Sequence, residues 1–335
     1  MQNPLVSIVI PFKNTETYIT DCLESIEKQT YVDFEVLAVD DGSTDDSRAI
    51  TKYFSTKDAR FKVFENTGKG IIDALQLAYS KASGTFVTRM DSDDIMILNK
   101  LEIMVNSLLA NGKGHIAVGQ VNYFSKDGVN DGYLKYEKWL NQLIEKGTNY
   151  SEIYKECVIP SPSWMAYTSD FDACGGFTHN TYPEDYDLAF RFYEHQLKCI
   201  PCTEVVHRWR DYSTRTSRTS DHYAENHFLD LKLDYFLKLD HTATSNLIVW
   251  GAGKKGKKIA TKLIGKNIPF TWVCDNEKKI GKDIYGLLMK SYSVIENFTE
   301  VQIIITVANE GDQKFIIDYL KQHHKTVNKD YFLFC

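Results

Sequence analysis

Asp91, Asp93 and Asp94 crowd three carboxylates into four positions of the run Met90–Asp94. A divalent cation relieves the repulsion among them. Magnesium and manganese prefer oxygen ligands, commonly one or two carboxylates completed by substrate phosphates. An Asp-x-Asp at a strand end is therefore a candidate diphosphate–metal clamp; a solvated acidic turn or a helix cap is the plainer reading. A second group, VDDGSTD at 39–45, offers Asp40 or Asp41 as acceptor for a base N–H or for ribose hydroxyls. Gly42 lets the backbone turn close to a ligand, although the same run also reads as a capped strand-to-helix turn. A third, GGF at 175–177 followed by PEDYDLAFRF at 183–192, puts Glu184 and Asp185 at the start of a helix. The positive end of a helix favours carboxylates in any case. In a functional reading, Asp185 is a general base that takes the proton of an attacking hydroxyl, and Glu184 positions it or the acceptor.

The elements that must carry these groups alternate. Residues 5–10 (LVSIVI) read as a buried strand ended by Pro11, and Tyr18, Ile19, Cys22, Leu23 and Ile26 recur at helical spacing. Further strands are expected at 34–39, 61–64 and 85–90. Helices are expected after a Ser43 or Thr44 cap and over 71–82. Strand–helix alternation predicts an α/β chain with a largely parallel, doubly wound sheet, whose ligands sit at the carboxyl ends of the strands. Beyond it lie strands near 116–124, 163–168 and 199–207, a helix near 185–196 and another over 222–240. A polar linker at 241–246 separates a smaller unit with a strand at 247–250, a helix at 254–265 and strands at 270–274 and 302–307. The expected domains are thus 1–240 and 245–335.

About the first 220 residues resemble family 2 glycosyltransferases with the GT-A fold. The resemblance rests on VSIVIPFKN at 6–14, ESIEKQTYVDFEVLAVDDGSTDDS at 24–47, NTGKG at 66–70, RMDSDD at 89–94, GGF at 175–177 and EDYDLAFRF at 184–192. It implies that Pro11 and Asp41 contact the base and ribose and that the loop around Lys69 lies near the nucleotide. Asp91 and Asp93 would be the Asp-x-Asp, with Asp91 nearer ribose or phosphate and Asp93 on Mn2+ or Mg2+. Gly175 and Gly176 would leave room for the sugar, with Asp185 as base and Glu184 as its partner in a single inverting displacement. Many relatives carry a His after an Arg-Trp pair; here Arg210 stands in that place within HRWRDYSTRTSR, 207–218. Arg208, Arg210, Arg215 or Arg218 can grip phosphate. His207 or Asp211 is a substitute metal ligand, or His207 is a structural residue at a strand end. UDP, as donor nucleotide of a hexose or N-acetylhexosamine, comes from the resemblance. So do a carbohydrate or lipid-linked hydroxyl acceptor and a setting in polysaccharide or glycoconjugate synthesis.

VWGAGKKGKKIA at 249–260 places Gly251, Gly253 and Gly256 in a G-x-G-x-x-G between strand and helix, with Asp275 after the next strand. This stretch resembles Rossmann-type modules, which implies either a retained site for NAD or another nucleotide or a unit kept for packing, oligomerisation or acceptor positioning. Neither a Tyr-x-x-x-Lys nor a His–acid pair is evident there, which weighs against an NAD-dependent oxidoreductase. The other alternative is a nucleotide-sugar-binding or regulatory protein with an inactive transferase domain.

The 335 residues are 43% hydrophobic and 25% charged, ordinary for a globular chain, and the net charge of −6 argues against a nucleic-acid partner. Seven scattered cysteines, with only one C-x-x-C (Cys199, Cys202), suit a reducing compartment. With no signal-peptide pattern and no apolar run long enough to span a bilayer, the expectation is a cytoplasmic protein. Peripheral contact at the inner face of the membrane and oligomerisation remain compatible with it.

Overall fold

A computed structural model of the chain describes residues 3–215, 218 and 228–335. They form two compact units: one comprises residues 1–149 and 158–220, the other 150–157 and 221–335.

The first unit opens with β1 (Val6–Phe12), α1 (Ile19–Glu27), β2 (Phe34–Asp40), α2 (Ser47–Lys57), β3 (Phe61–Glu65), α3 (Ile71–Tyr79) and β4 (Phe86–Arg89). β5 (Ile95–Met96), α4 (Lys100–Asn111), β6 (His115–Phe124), α5 (Asp131–Lys146), β7 (Trp164–Tyr167), α6 (Thr168–Ala173), α7 (Glu184–Glu194) and β8 (Lys198–Arg210) follow. Among the described residues its sheet has eight strands in the order β3-β2-β1-β4-β7-β6-β8-β5. Every residue of β1 and β2 is buried, as their β-branched runs require of strands covered on both faces. Ile19, Cys22, Leu23 and Ile26 of α1 pack on this layer with Met104, Val105 and Leu108 of α4.

Two expectations change. β1 does not end at Pro11 but runs to Phe12, paired with Asp40 of β2. On the β4 side the last bond is from the Met90 N–H to the Val9 carbonyl, so Pro11, one alternation further on, costs the ladder no donor. The sheet is also less parallel than expected. β3-β2-β1-β4 is parallel, but β7 runs antiparallel to both β4 and β6. Because Thr88 pairs with Met165, the turn that precedes β7 arrives at the edge where β4 ends.

The second unit holds α8 (Leu229–Leu239), β9 (Asn246–Trp250), α9 (Lys254–Gly265), β10 (Thr271–Cys274), β11 (Asp283–Ile284), β12 (Leu287–Leu288), β13 (Lys290–Ser291), β14 (Val301–Ile305), α10 (Glu310–Gln322) and β15 (Tyr331–Leu333). Its main sheet, β13-β10-β9-β14-β15, is parallel throughout. The boundary differs from the expected one near 240. α8 belongs to this unit because Phe236 packs on Phe332 and Phe334, and Asp234 pairs with Lys266 at 2.9 Å. The part of the expected 222–240 helix that precedes residue 228 lies outside the described residues. Residues 150–157 join the second unit as well. Tyr154 stacks on Phe334 at 5.3 Å, and the Tyr150 carbonyl accepts from Asn328 Nδ2 at 2.7 Å.

Candidate active site

β4 ends in Arg89, a guanidinium only 5% exposed. Its Nε donates to Asp91 Oδ1 at 3.1 Å and its Nη1 to Glu184 Oε1 at 2.8 Å. One planar fork thus joins the acidic run after β4 to the first turn of α7. Burial works against the charge on Arg89, but Asp91, Glu184 and Asp185 more than offset it and hold the group protonated. Glu184 Oε2 is buried and has no hydrogen-bond partner among the described residues.

Asp185 is fixed at both oxygens. Ser161 Oγ donates to Oδ2 at 3.1 Å, and the Tyr186 N–H donates to Oδ1 at 2.8 Å. Burial, and then the neighbouring Glu184 charge, push its carboxyl up to about 7 against the pull of Arg89. A carboxylate that titrates near neutrality can accept a proton and still be ionised at working pH.

The acidic run divides its labour. Burial opposes the charge of Asp91, yet Arg89 and then Arg215 keep that carboxyl below its ordinary range. Asp93 is pushed up to about 6 by burial and by Asp94, and its Oδ2 accepts from the Tyr212 hydroxyl at 2.8 Å. Asp94 is wholly buried; it shares a 2.9 Å hydrogen bond with His207 Nε2 and accepts from the Arg210 N–H at 2.7 Å. Burial holds the His207 imidazole well below its usual range. His207 Nε2 is thus engaged by Asp94, while its buried Nδ1 has no hydrogen-bond partner among the described residues. Asp211 takes both of its bonds from Arg218, at 3.0 and 2.7 Å, so it too is committed. Arg210 bonds the Asp93 carbonyl and Asp21 and lies over Tyr18 and Phe124, which removes it as a phosphate grip. Arg215 is the arginine set among the carboxylates: burial disfavours its charge, and Asp94 and Asp93 restore it.

Among the described residues no group of three or more His, Cys, Asp or Glu side chains is arranged to hold a metal ion. Asp91 and Asp93 nonetheless suit Mg2+ or Mn2+ chemically. Burial and the neighbouring Asp94 and Asp91 charges raise the Asp93 carboxyl, a condition a cation relieves, and two carboxylates are the usual protein share when phosphate oxygens supply the rest.

The other expected ligand groups gather at the carboxyl ends of β1 and β2. The Asp41 N–H donates to the Phe12 carbonyl, next to Pro11. Asp41 Oδ1 accepts from Asn66 Nδ2 at 2.7 Å and from the Gly70 N–H at 2.9 Å, which ties it to the loop carrying the exposed Lys69. Asp40 instead caps its own turn through the Ser43 N–H. Gly175 and Gly176 take φ values of +81° and +51°. Arg191 Nη1 holds the Gly176 carbonyl at 2.8 Å, so the pair forms a pinned turn ahead of α7. Arg89, Ser161 and Tyr212 were not singled out from the sequence as site residues.

In the second unit, Gly251 and Gly253 lie between β9 and α9, Gly256 stands in the first turn of α9, and Asp275 is exposed just past β10. A Cβ on Gly256 would stand 2.0 Å from the Gly251 carbonyl oxygen, and one on Gly251 2.4 Å from Thr306 Oγ1. Packing requires glycine at both positions, and Gly251 also holds a φ of +130°, whereas Gly253 faces open space. Lys279 Nζ donates to the Ala252 carbonyl within the turn at 2.8 Å.

Residues 7–175 match the sequence profile of the family described as glycosyl transferase family 2. The glycosyltransferase GlyG of Streptococcus pneumoniae is 37% identical over 125 residues, 37% of this chain and 42% of that protein. The UDP-Glc:alpha-D-GlcNAc-diphosphoundecaprenol beta-1,3-glucosyltransferase WfgD of Escherichia coli is 42% identical over 112 residues, 33% of this chain and 44% of that protein. The matching stretch thus spans less than half of either relative. Among solved structures, S. aureus TarS 1–349 in complex with UDP-GlcNAc superposes with a TM-score of 0.55 at 19% identity, covering 71% of this chain and 68% of that one. The mannosyltransferase PcManGT from Pyrobaculum calidifontis, in complex with GDP-Man and Mn2+, gives a TM-score of 0.50 at 18% identity over 71% of this chain and 64% of that one.

Proposed function

The chain belongs to glycosyl transferase family 2, and from that premise we propose that it transfers a sugar from a UDP-sugar to a hydroxyl acceptor with inversion, using Asp185 as base. The fold is that of GT-A nucleotide-sugar transferases. The observation that carries the proposal is the buried guanidinium of Arg89. It joins Asp91 of the acidic run to Glu184, next to the carboxylate best poised to take a proton.

In the proposed reaction the acceptor oxygen attacks the anomeric carbon while Asp185 Oδ2 or Oδ1 takes its proton, and the bond to the diphosphate breaks on the opposite face. The transition state resembles an oxocarbenium ion. Asp91 and Asp93 would hold a divalent cation, which supplies Lewis-acid neutralisation of the leaving diphosphate. Arg215 adds positive charge on the same side. Asp41 and the loop it fastens would receive the nucleoside. WfgD's name gives a UDP-glucose donor and a diphosphoundecaprenol acceptor, and TarS binds UDP-GlcNAc. These support a UDP-hexose or UDP-N-acetylhexosamine donor and a carbohydrate or lipid-linked acceptor here.

A panel of nucleotide sugars, followed by thermal shift with and without manganese, tests this, because a ligand selective for the folded state raises apparent stability. The right donor stabilises the protein and is consumed by wild type but not by Asp185→Asn. Stabilisation without any release of UDP would instead make the chain a nucleotide-sugar-binding protein.

A further inference from the structure

Lys100 has no exposed surface and lies on the buried side of α4 with Leu101, Met104 and Leu108. An ammonium is an expensive way to fill such a place, since a methionine of similar length packs there without desolvating a charge. Lys100 Nζ donates to the carbonyl of Pro162. That carbonyl belongs to the turn 160–163, closed by the Ser163 N–H on the Pro160 carbonyl at 3.1 Å and continuing into β7. Pro160 and Pro162 bring no N–H of their own to fasten the turn. From this turn Ser161 Oγ reaches Asp185 Oδ2 at 3.1 Å.

We propose that Lys100 is a positioning residue for Asp185: its side-chain amino group fixes the turn through the Pro162 carbonyl, and the turn's Ser161 hydroxyl fixes the carboxylate that receives the acceptor proton. This rests on the transferase reading with Asp185 as base. Asp185 is faced by Glu184 and the Tyr186 N–H from its own helix, by Arg89 from β4 and by Ser161 from the turn. Among the described residues only Ser161 holds Oδ2, so its loss frees the carboxylate to rotate about the bond kept by Tyr186. Lys100 also lies near Asp91 and Asp94, and a pure charge-balancing role there is the competing account. The two accounts differ in what they disturb. Charge balance acts on the side of Asp91, and hence on donor affinity. The turn acts on the proton-transfer step.

Full-length wild type, Ser161→Ala, Ser161→Thr, Lys100→Met and the Ser161→Ala/Lys100→Met double variant are compared for kcat, donor KM and the pH profile of kcat, with the donor that wild type consumes. Ser161→Ala and Lys100→Met are each expected to lower kcat about tenfold, the scale of a misplaced general base, with donor KM within about twofold. Ser161→Ala also moves the acid limb to higher pH, and Ser161→Thr restores it. The double variant is no slower than the slower single one, because both substitutions break the same path. Multiplying losses in the double variant, or a change in donor KM with kcat intact, overturns the proposal. Wild-type kcat and an unmoved acid limb in Ser161→Ala overturn it even where Lys100→Met does not fold. If wild type itself consumes no donor, the transferase reading fails first, and that result is distinct from either of these.

Discussion

Arg89 Nη1 and Glu184 Oε1 meet at 2.8 Å across 95 residues of sequence. The contact ties the acidic run after β4 to the first turn of α7 and so sets the spacing of the two clusters. Arg89→Met would leave Glu184 without its cation and Asp91 with Arg215 alone, a loss of about 3 kcal/mol, the lower end for broken buried pairs because both carboxylates are partly exposed. Arg89→Lys, a point charge without the fork, recovers only part of it. Chemical denaturation of the three proteins measures the order: wild type, then Lys, then Met.

Replacing Asp185 by Asn should cost about 10²–10⁴ in kcat while leaving UDP binding intact. The same substitution should stabilise the fold at pH 8. The folded carboxyl titrates at about 7, above the unfolded value of about 3.9, so the folded state binds more protons between those limits. Stability from this group is therefore complete at low pH and lost as pH rises through 7. Melting curves should show Asp185→Asn above wild type at pH 8, with the gap closing near pH 4.

The kcat of wild type should fall tenfold per pH unit below about 7, as the base becomes protonated. A rate profile flat from pH 5 to pH 8 would remove Asp185 from the chemical step.

For Asp93→Asn the expectation is a protein at least as stable as wild type without ligand, because one member of a repelling group has lost its charge. Added manganese should then no longer strengthen UDP binding, and a chelator should reduce wild type to the variant's affinity. Isothermal titration with UDP, with and without manganese, checks both.

Gly256→Ala forces a Cβ against the Gly251 carbonyl and should destabilise the second unit by about 2 kcal/mol or more. Gly253→Ala meets no atom within 4 Å and should leave the melting temperature unchanged. We propose that this turn is kept for packing. NAD or UDP binding that Gly253→Ala weakens, at constant stability, would show instead that it receives a nucleotide.

Much of this was legible in advance, for physical reasons. β1, β2 and α1 announced themselves because their apolar periodicity is strong and their burial complete. The site residues that sat in short acidic or glycine-rich runs were visible as chemistry. What escaped is what depends on contacts between distant segments. Arg89 looked like any residue at a strand end, though a charge closing a buried strand needs a partner somewhere. Lys100 falls on the apolar stripe of α4 with Met104 and Leu108, a signal available from spacing alone. Ser161 offered none, because its role follows from β7 running antiparallel to β4, which local sequence does not encode. The two compact units divide the chain elsewhere than the expected edge near 240 for a similar reason: α8 has an amphipathic pattern, and a pattern does not say which core it serves.

The excursion of residues 150–157 has a consequence for how such a chain can be inherited. Because Tyr154 stacks within the aromatic cluster of Phe236, Phe332 and Phe334, the C-terminal unit is not a tail that a single join could add or remove. Any ancestor that swapped it wholesale had to exchange an octapeptide within the first unit's sequence at the same time. Shuffling at one breakpoint would strand Tyr154 in one parent and its cavity in the other.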